Sequence, residues 1–332
     1  MTDTMRAVVL NGPGPVENLV ITDRPIPAAR PGWVRIAVKA FGLNRSELHT
    51  RLGLAEGVTF PRVPGIEAVG IIDSLDPGDE DSGLLPGQQA ATMMGGMGRT
   101  YDGGYAQYTL VPVGQTIPFT SDLPWEMLGA LPETLQTAYG SLTTGLDLAA
   151  GQSLLIRGGT SSVGLAAAAL AKDLGATVLA TTRQPERAGI LKAQGVDHVL
   201  VDDGDIAGAA RAFCPNGVDA ALELVGTPTL PDTLAATRVH GTVCFTGMLS
   251  NQWLIHDFYP IGYLPKGVRL TAYGGESGDL PAKVLQHFLD KIAAGRITLG
   301  PVSTYPLDDI RNAHTAMEHG HTVGKLVVLT GH

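Results

Sequence analysis

The run Gly158-Gly159-Thr160-Ser161-Ser162-Val163-Gly164 joins an apolar stretch, Leu154-Leu155-Ile156, to an alanine-rich one. A turn at such a place aims free backbone N–H groups and the positive end of a helix dipole at whatever lies above it, and a pyrophosphate fits there. The strict dinucleotide fingerprint is G-x-G-x-x-G, and Ser161 holds the place of its middle glycine. Ser161 and Ser162 are small enough to keep the backbone accessible, and their hydroxyls offer further donors. Gly158, Thr160 and Val163 complete the phosphate-facing candidates, while Gly164 lets the helix pack closely on the strand. The plain alternative is a strand–turn–helix junction with no ligand.

About 20 residues beyond the glycines, a site for NAD places an acid against the ribose 2′-hydroxyl. This chain has Thr181-Thr182-Arg183-Gln184-Pro185-Glu186-Arg187 there, with no acid before Glu186. Arg183 carries the planar donor fork that suits a 2′-phosphate, and Thr182 adds a hydroxyl. Arg187 is a second candidate and reads equally well as a solvated residue in a first helical turn. The expected cofactor is NADPH.

The elements that must position these groups fall into two textures. Up to about residue 120, short β-branched runs (5–10, 33–40, 68–72 and 103–113) alternate with Pro and Gly breakers, which favours an irregular β-barrel. Helical spacing runs through 125–150. From 153 onward, strands (153–157, 177–182, 198–201, 218–225, 242–245, 269–272) alternate with helices (163–174, 186–194, 206–213, 231–238, 282–293). That alternation predicts a doubly wound parallel sheet. A last strand pattern, 325–330, is expected to return to the first domain.

Composition narrows the function classes. In 332 residues there are 23 Lys and Arg against 32 Asp and Glu, a formal charge of −9, which argues against a nucleic-acid or anionic-membrane surface. Cys214 and Cys244 are the two cysteines, so a disulfide framework and a thiolate-rich zinc site are excluded. No apolar run approaches the ~18 residues of a membrane helix, and the run at 7–10 is too short for a signal peptide. The expectation is a soluble, cytoplasmic, two-domain protein.

Six motifs carry a family likeness: Gly42-Leu43-Asn44-Arg45-Ser46-Glu47, the run from Val63 to Gly70, Asp102-Gly103-Gly104-Tyr105-Ala106, Thr137-Ala138-Tyr139, the serine-rich turn, and Val323-Gly324-Lys325. Over almost the whole length the chain resembles the medium-chain dehydrogenase/reductase superfamily, specifically its zinc-free quinone oxidoreductase-like branch. The resemblance implies an α/β fold: a GroES-like β-barrel catalytic domain (1–122 and 281–332) plus an inserted Rossmann-type doubly wound parallel sheet (123–280). Zinc-dependent members carry Cys where Asn44 stands, and Gly-His-Glu where this chain has Gly65-Ile66-Glu67. The resemblance therefore implies no metal site. His314, His319 and His321 lack a helical ligand pair's spacing and are expected at a solvated helix end.

The resemblance also places Asn44 beside the nicotinamide as the polar group of the reacting centre, with a turn amide as the alternative. Thr137 would face the nicotinamide ribose or carboxamide. Val225-Gly226 and Thr246-Gly247 would flank the adenine-ribose and nicotinamide sides. Lys325 would lie near the cofactor, or else be a surface lysine of the tail strand. Without a Lewis acid, quinones and α,β-unsaturated carbonyls are the easier hydride acceptors, because their charge delocalises onto an oxygen that a hydrogen bond can stabilise. A proton donor is not evident: where related enoyl reductases place a Tyr this chain has Leu54 or Ala55, and Tyr101 and His49 read as structural. The expected activity is reduction of a small carbonyl or quinone by NADPH, without zinc and in a homodimer. The alternatives are a non-enzymatic NADPH-binding protein of crystallin or sensor type, a zinc-free alcohol or ketone oxidoreductase and, most remotely, a Rossmann methyltransferase. The apolar segment 253–264 would serve the dimer or line the substrate pocket.

Overall fold

A computed structural model describes residues 3–298, 300–320 and 322–332. The chain divides into two compact units: 1–133 with 276–296 and 301–332, and 134–275 with 297–300. In chain order the first unit begins with strands β1 (Thr4–Leu10), β2 (Leu19–Pro25) and β3 (Trp33–Gly42), then helix α1 (Arg45–Arg51). It continues through β4 (Glu67–Leu75), β5 (Gln89–Met93), β6 (Tyr108–Pro112), β7 (Thr116–Phe119) and helix α2 (Trp125–Leu128). Helix α3 (Pro132–Gly140) carries the chain into the second unit. That unit contains β8 (Ser153–Arg157), α4 (Ser162–Leu174), β9 (Thr177–Thr182), α5 (Ala188–Ala193), β10 (His198–Val201), α6 (Ile206–Arg211), β11 (Val218–Glu223), α7 (Leu230–Ala236), β12 (Thr237–Phe245), α8 (Pro260–Tyr263) and β13 (Arg269–Ala272). Helix α9 (Ala282–Ala293), β14 (Val302–Pro306), α10 (Ile310–His319) and β15 (Lys325–Leu329) belong again to the first unit.

In the first unit β3 is the organising strand. One of its edges pairs with β4; the other is shared between β6, over Trp33–Ala37, and β15, over Ala40–Gly42. Antiparallel pairing therefore brings the C-terminal end of β3, the start of β4 and the start of β15 to one place. Val8, Leu10, Ile36, Val38, Phe41 and Tyr105 share the core behind it. This is a GroES-like arrangement, and the tail strand does return to it.

In the second unit the strand order is β10-β9-β8-β11-β12-β13, every pairing parallel. Numbered within the unit this is 3-2-1-4-5-6, the Rossmann order, with its switch point between β8 and β11. Helix α4 is buried from Gly164 to Ala171, and its alanines let it lie close on the sheet. It stops at Gly175, whose φ of 90° suits a residue without Cβ.

Several expectations need correction. The strand foreseen over 103–113 begins only at Tyr108, because Gly103, Gly104 and Tyr105 spend their amides on the carbonyls of Val63, Gly65 and Pro64. The helix foreseen over 125–150 is three pieces, α2, α3 and a π-helical turn Ser141–Gly145, since helical spacing does not reveal where a helix is interrupted. The helix foreseen over 186–194 is a 3₁₀ turn, Pro185–Arg187, followed by α5. Strands β2, β5, β7 and β14 and helix α1 were not foreseen; each is short or too irregular in its alternation to register. His314 is fully buried in α10 with its Nε2 3.1 Å from the Tyr105 hydroxyl. It is a core residue, whereas His319 is exposed and His321 lies outside the described residues.

Candidate functional site

The first cluster lies where β3, β4 and β15 meet. Asn44 precedes α1 with extended backbone, φ −128° and ψ 156°, and its amide N–H donates to Glu47 Oε2 at 2.8 Å. Glu47 Oε1 accepts from the Ile66 amide at 2.8 Å, so one carboxyl ties the end of β3 to the start of β4. The Asn44 side chain also reaches beyond its own helix. Its Nδ2 donates to Glu67 Oε1 at 2.9 Å, and its Oδ1 accepts from Lys325 Nζ at 2.5 Å. Lys325 also reaches Glu67 Oε1 at 2.8 Å and Glu133 Oε2 at 3.3 Å, while Glu67 Oε2 accepts the Glu133 amide at 2.8 Å.

These groups lie out of solvent: Lys325 is 4% exposed, Glu67 0% and Asn44 8%. Burial alone would depress the Lys325 ammonium, but Glu67 and Glu133 more than offset it and its pKa is raised. Burial pushes Glu47 up to about 7, against the lowering effect of the Ile66 amide. Only glycine is admitted beside this group at position 42, where a Cβ would collide with Glu67 Oε1 and Lys325 Cε.

Lys325 is therefore no surface residue. Nor is it free to contact a cofactor, because its three N–H groups are directed at Glu67, Asn44 and Glu133. Asn44 likewise is more than a local turn amide. Glu47 was legible as the fourth residue of an Asn-x-x-Glu capping pattern; Glu133 carries no sequence signal.

The second cluster stands at the switch point of the parallel sheet. Gly158, with φ 87°, gives its amide to Thr181 Oγ1 at 3.0 Å, and Gly159 gives its own to the Thr181 carbonyl at 3.1 Å. A Cβ on Gly164 would sit 2.6 Å from the Gly158 carbonyl oxygen, which accounts for that glycine. Ser161 Oγ accepts the Gly164 amide at 3.1 Å and donates to the Gly158 carbonyl at 2.8 Å. Its hydroxyl hydrogen is thus spent inside the turn, correcting the expectation that it faces a phosphate. The Ser162 hydroxyl and the amides of Ser162 and Val163 have no acceptor among the described residues. Open amides at the head of a 13-residue helix suit a phosphate group.

At the end of β9, Thr182 Oγ1 donates to the Gln184 carbonyl at 3.1 Å and accepts its amide at 3.2 Å. Thr182, expected to offer a hydroxyl to phosphate, instead closes a local turn. Arg183 is exposed and makes no ion pair among the described residues, and Arg187 is half-buried beside α5. Across the switch point, Glu223 Oε1 accepts the amides of Val225 and Gly226 at 2.7 and 3.0 Å. Burial raises the Glu223 pKa although the Thr233 hydroxyl and these amides lower it. Glu223 was missed, yet an acid inside an apolar strand signals a built-in turn anchor. Thr246 and Gly247 donate to the Glu223 carbonyl, both at 3.0 Å. Ser141, also missed, donates to the Thr137 carbonyl at 2.6 Å and lies 2.9 Å from the Thr246 hydroxyl, so these two expected nicotinamide-side residues do come together.

A family description for the alcohol dehydrogenase GroES-like domain matches residues 30–121, and one for zinc-binding dehydrogenases matches 194–328. Quinone oxidoreductase of Homo sapiens is 27% identical over 98% of this chain and 98% of its own length. The chain belongs to the medium-chain dehydrogenase/reductase superfamily. Within that superfamily of oxidoreductases its likeness is to the quinone oxidoreductase-like branch. It is also 30% identical, over 96% of its length, to the spectinabilin polyketide synthase system protein NorB of Streptomyces orinoci, of which it spans only 14%. The structure of a mycobacterial protein complexed with NADPH superposes with a TM-score of 0.85 at 26% identity, covering 98% of this chain and 99% of that one. Although one superfamily description names zinc, the residues assembled here do not fit that ion. Asn44 presents an amide N–H, Glu67 is already doubly engaged, and an ammonium fills the space beside it. Among the described residues no group of three or more His, Cys, Asp or Glu could hold a metal, and no helix is long and apolar enough to cross a membrane.

Proposed function

We propose that the protein is an NADPH-dependent, zinc-independent reductase of quinones or α,β-unsaturated carbonyls. The observation that carries this reading is the Asn44–Glu67–Lys325 group, where zinc members of the superfamily keep their ligands. What remains there to polarise an acceptor oxygen is one amide donor, adequate for a conjugated acceptor that spreads its charge and weak for an isolated ketone. NADPH supplies the hydride when bound. The chain's own part is to bind and orient.

The open amides of Ser162 and Val163, together with Gly158 and Thr160, would hold the pyrophosphate. Arg183 would take the 2′-phosphate, with Arg187 beside it. Val225 and Gly226 would line the adenosine side, and Thr137, Thr246 and Gly247 the nicotinamide side. Asn44 would donate its second Nδ2 hydrogen to the acceptor oxygen, which takes its proton from water. Support for NADPH comes from the missing acid at the end of β9 and from the NADPH complex of the mycobacterial relative. The exposed Leu254, Tyr259 and Ile261 and the edge strand β13 support a homodimer, which light scattering checks.

Stopped-flow mixing of the NADPH-loaded protein with a panel of quinones and enones tests the activity. Oxidation of NADPH by at least one acceptor class is expected; tight NADPH binding with no turnover on any acceptor would make this a binding protein. Arg183→Ala should weaken NADPH about 10- to 100-fold, the worth of a charge-assisted phosphate contact, and leave NADH nearly unchanged. Equal losses for both would remove Arg183 from the site.

A further inference from the structure

The Asn44 amide is held at both ends, by the Glu67 carboxylate at its nitrogen and the Lys325 ammonium at its oxygen. We propose that Lys325 is the positioning residue of the reductase site: it fixes the orientation of the Asn44 amide and polarises its remaining N–H toward the acceptor oxygen. The inference rests on the reading of Asn44 as the donor to that oxygen.

An asparagine amide is nearly symmetric in shape, and a 180° turn of its plane would replace the donor with a carbonyl oxygen. Glu67 accepts only from the nitrogen side, and Lys325 donates only to the oxygen side, so the two together admit one orientation. The ammonium then stands 2.5 Å from Oδ1. A cation there draws electron density toward the amide oxygen and makes the N–H a stronger donor, the cooperative effect that hydrogen-bond chains show in low-dielectric surroundings. The remaining ammonium hydrogens point to Glu67 and Glu133, which hold the cation in place. Nothing in this arrangement requires Lys325 to touch substrate or cofactor.

A mutant cycle decides the matter. Lys325→Met alone leaves Glu67 buried without its cation and could fail to fold. The paired change Lys325→Met with Glu67→Gln removes both charges together, while the carbonyl of the substituted side chain can still accept from Asn44. Single-turnover NADPH oxidation, NADPH binding by nicotinamide fluorescence and acceptor KM are measured for the paired variant, Asn44→Ala, and their combination. The paired variant should lose about 10- to 100-fold in kcat while KM and NADPH affinity stay within about twofold. In the Asn44→Ala background the paired change should cost nothing further in kcat, because there is no amide left to position. If losses multiply across the combination, Lys325 acts only on the fold and the proposal fails. If Asn44→Ala lowers kcat and the paired variant does not, Lys325 is idle while Asn44 keeps its role. If Asn44→Ala leaves kcat unchanged, the donor reading and this inference fall together.

Discussion

The buried carboxyl of Glu47 makes a signed prediction about stability and pH. Its pKa in the fold is about 7, against 4.5 for the free side chain, and burial is the principal cause. Because the folded value is raised, the native state holds a proton that the unfolded chain has released throughout the window between those two values. Stability from this group is therefore fully present below about pH 4.5, falls as pH rises through the window, and levels off above about pH 7. At about 1.4 kcal/mol per unit, a shift of that size corresponds to about 3 kcal/mol. Glu47→Gln cannot titrate, so it should lack this slope, at a roughly constant cost of about 1–3 kcal/mol for the hydrogen bond that its NH₂ cannot accept. Urea denaturation of both proteins at pH 5, 6, 7 and 8 isolates the effect as a difference between profiles. Wild-type stability should decline relative to the variant from pH 5 to pH 7 and run parallel from pH 7 to pH 8. A flat difference over the lower interval would mean that the amides of Asn44 and Ile66 hold Glu47 ionised, and the argument from burial would be wrong.

Gly42→Ala should destabilise by about 1–3 kcal/mol in thermal melts, because Glu67 and Lys325 are both buried and hydrogen-bonded and cannot retreat from the new Cβ. A melting temperature equal to wild type would show that the ion pair is mobile. In the second unit Arg157, 1% exposed, donates to Asp202 at 2.6 and 2.8 Å and to Asp232 at 2.5 Å, tying β8, β10 and α7 together. Arg157→Met should cost about 3 kcal/mol by leaving both carboxylates without their cation. Recovery of most of that loss by adding Asp202→Asn, read by urea denaturation, would confirm the charge argument.

What the sequence disclosed follows physical range. Strands β8, β9, β10 and β13 and helix α9 stand where apolar runs between Gly and Pro place them; in β8 and β9, which are buried along most of their length, composition itself writes the bounds. The serine-rich turn was equally legible, being fixed by neighbours in sequence. What each hydroxyl does there was not: Ser161 and Thr182 are consumed by bonds two or three residues away, a choice made by backbone geometry and not by residue type. Lys325 is the opposite case. Its role depends on partners 281, 258 and 192 residues distant, and no local pattern separates it from an ordinary lysine at the head of a strand.

That separation has a consequence for how the protein comes into being. Glu67 emerges from the ribosome long before the cation that neutralises it, and it has to be enclosed by strands already in place. Until β15 docks along Ala40–Gly42, the end of β3 lacks both its hydrogen-bonding neighbour and the counter-charge for the acid beside it. The first unit is thus electrostatically incomplete while the whole parallel-sheet unit is being made. Docking of the tail strand joins β14 to β3 and quenches the charge in one event, so a chain interrupted before residue 325 would carry an unneutralised acid in its interior.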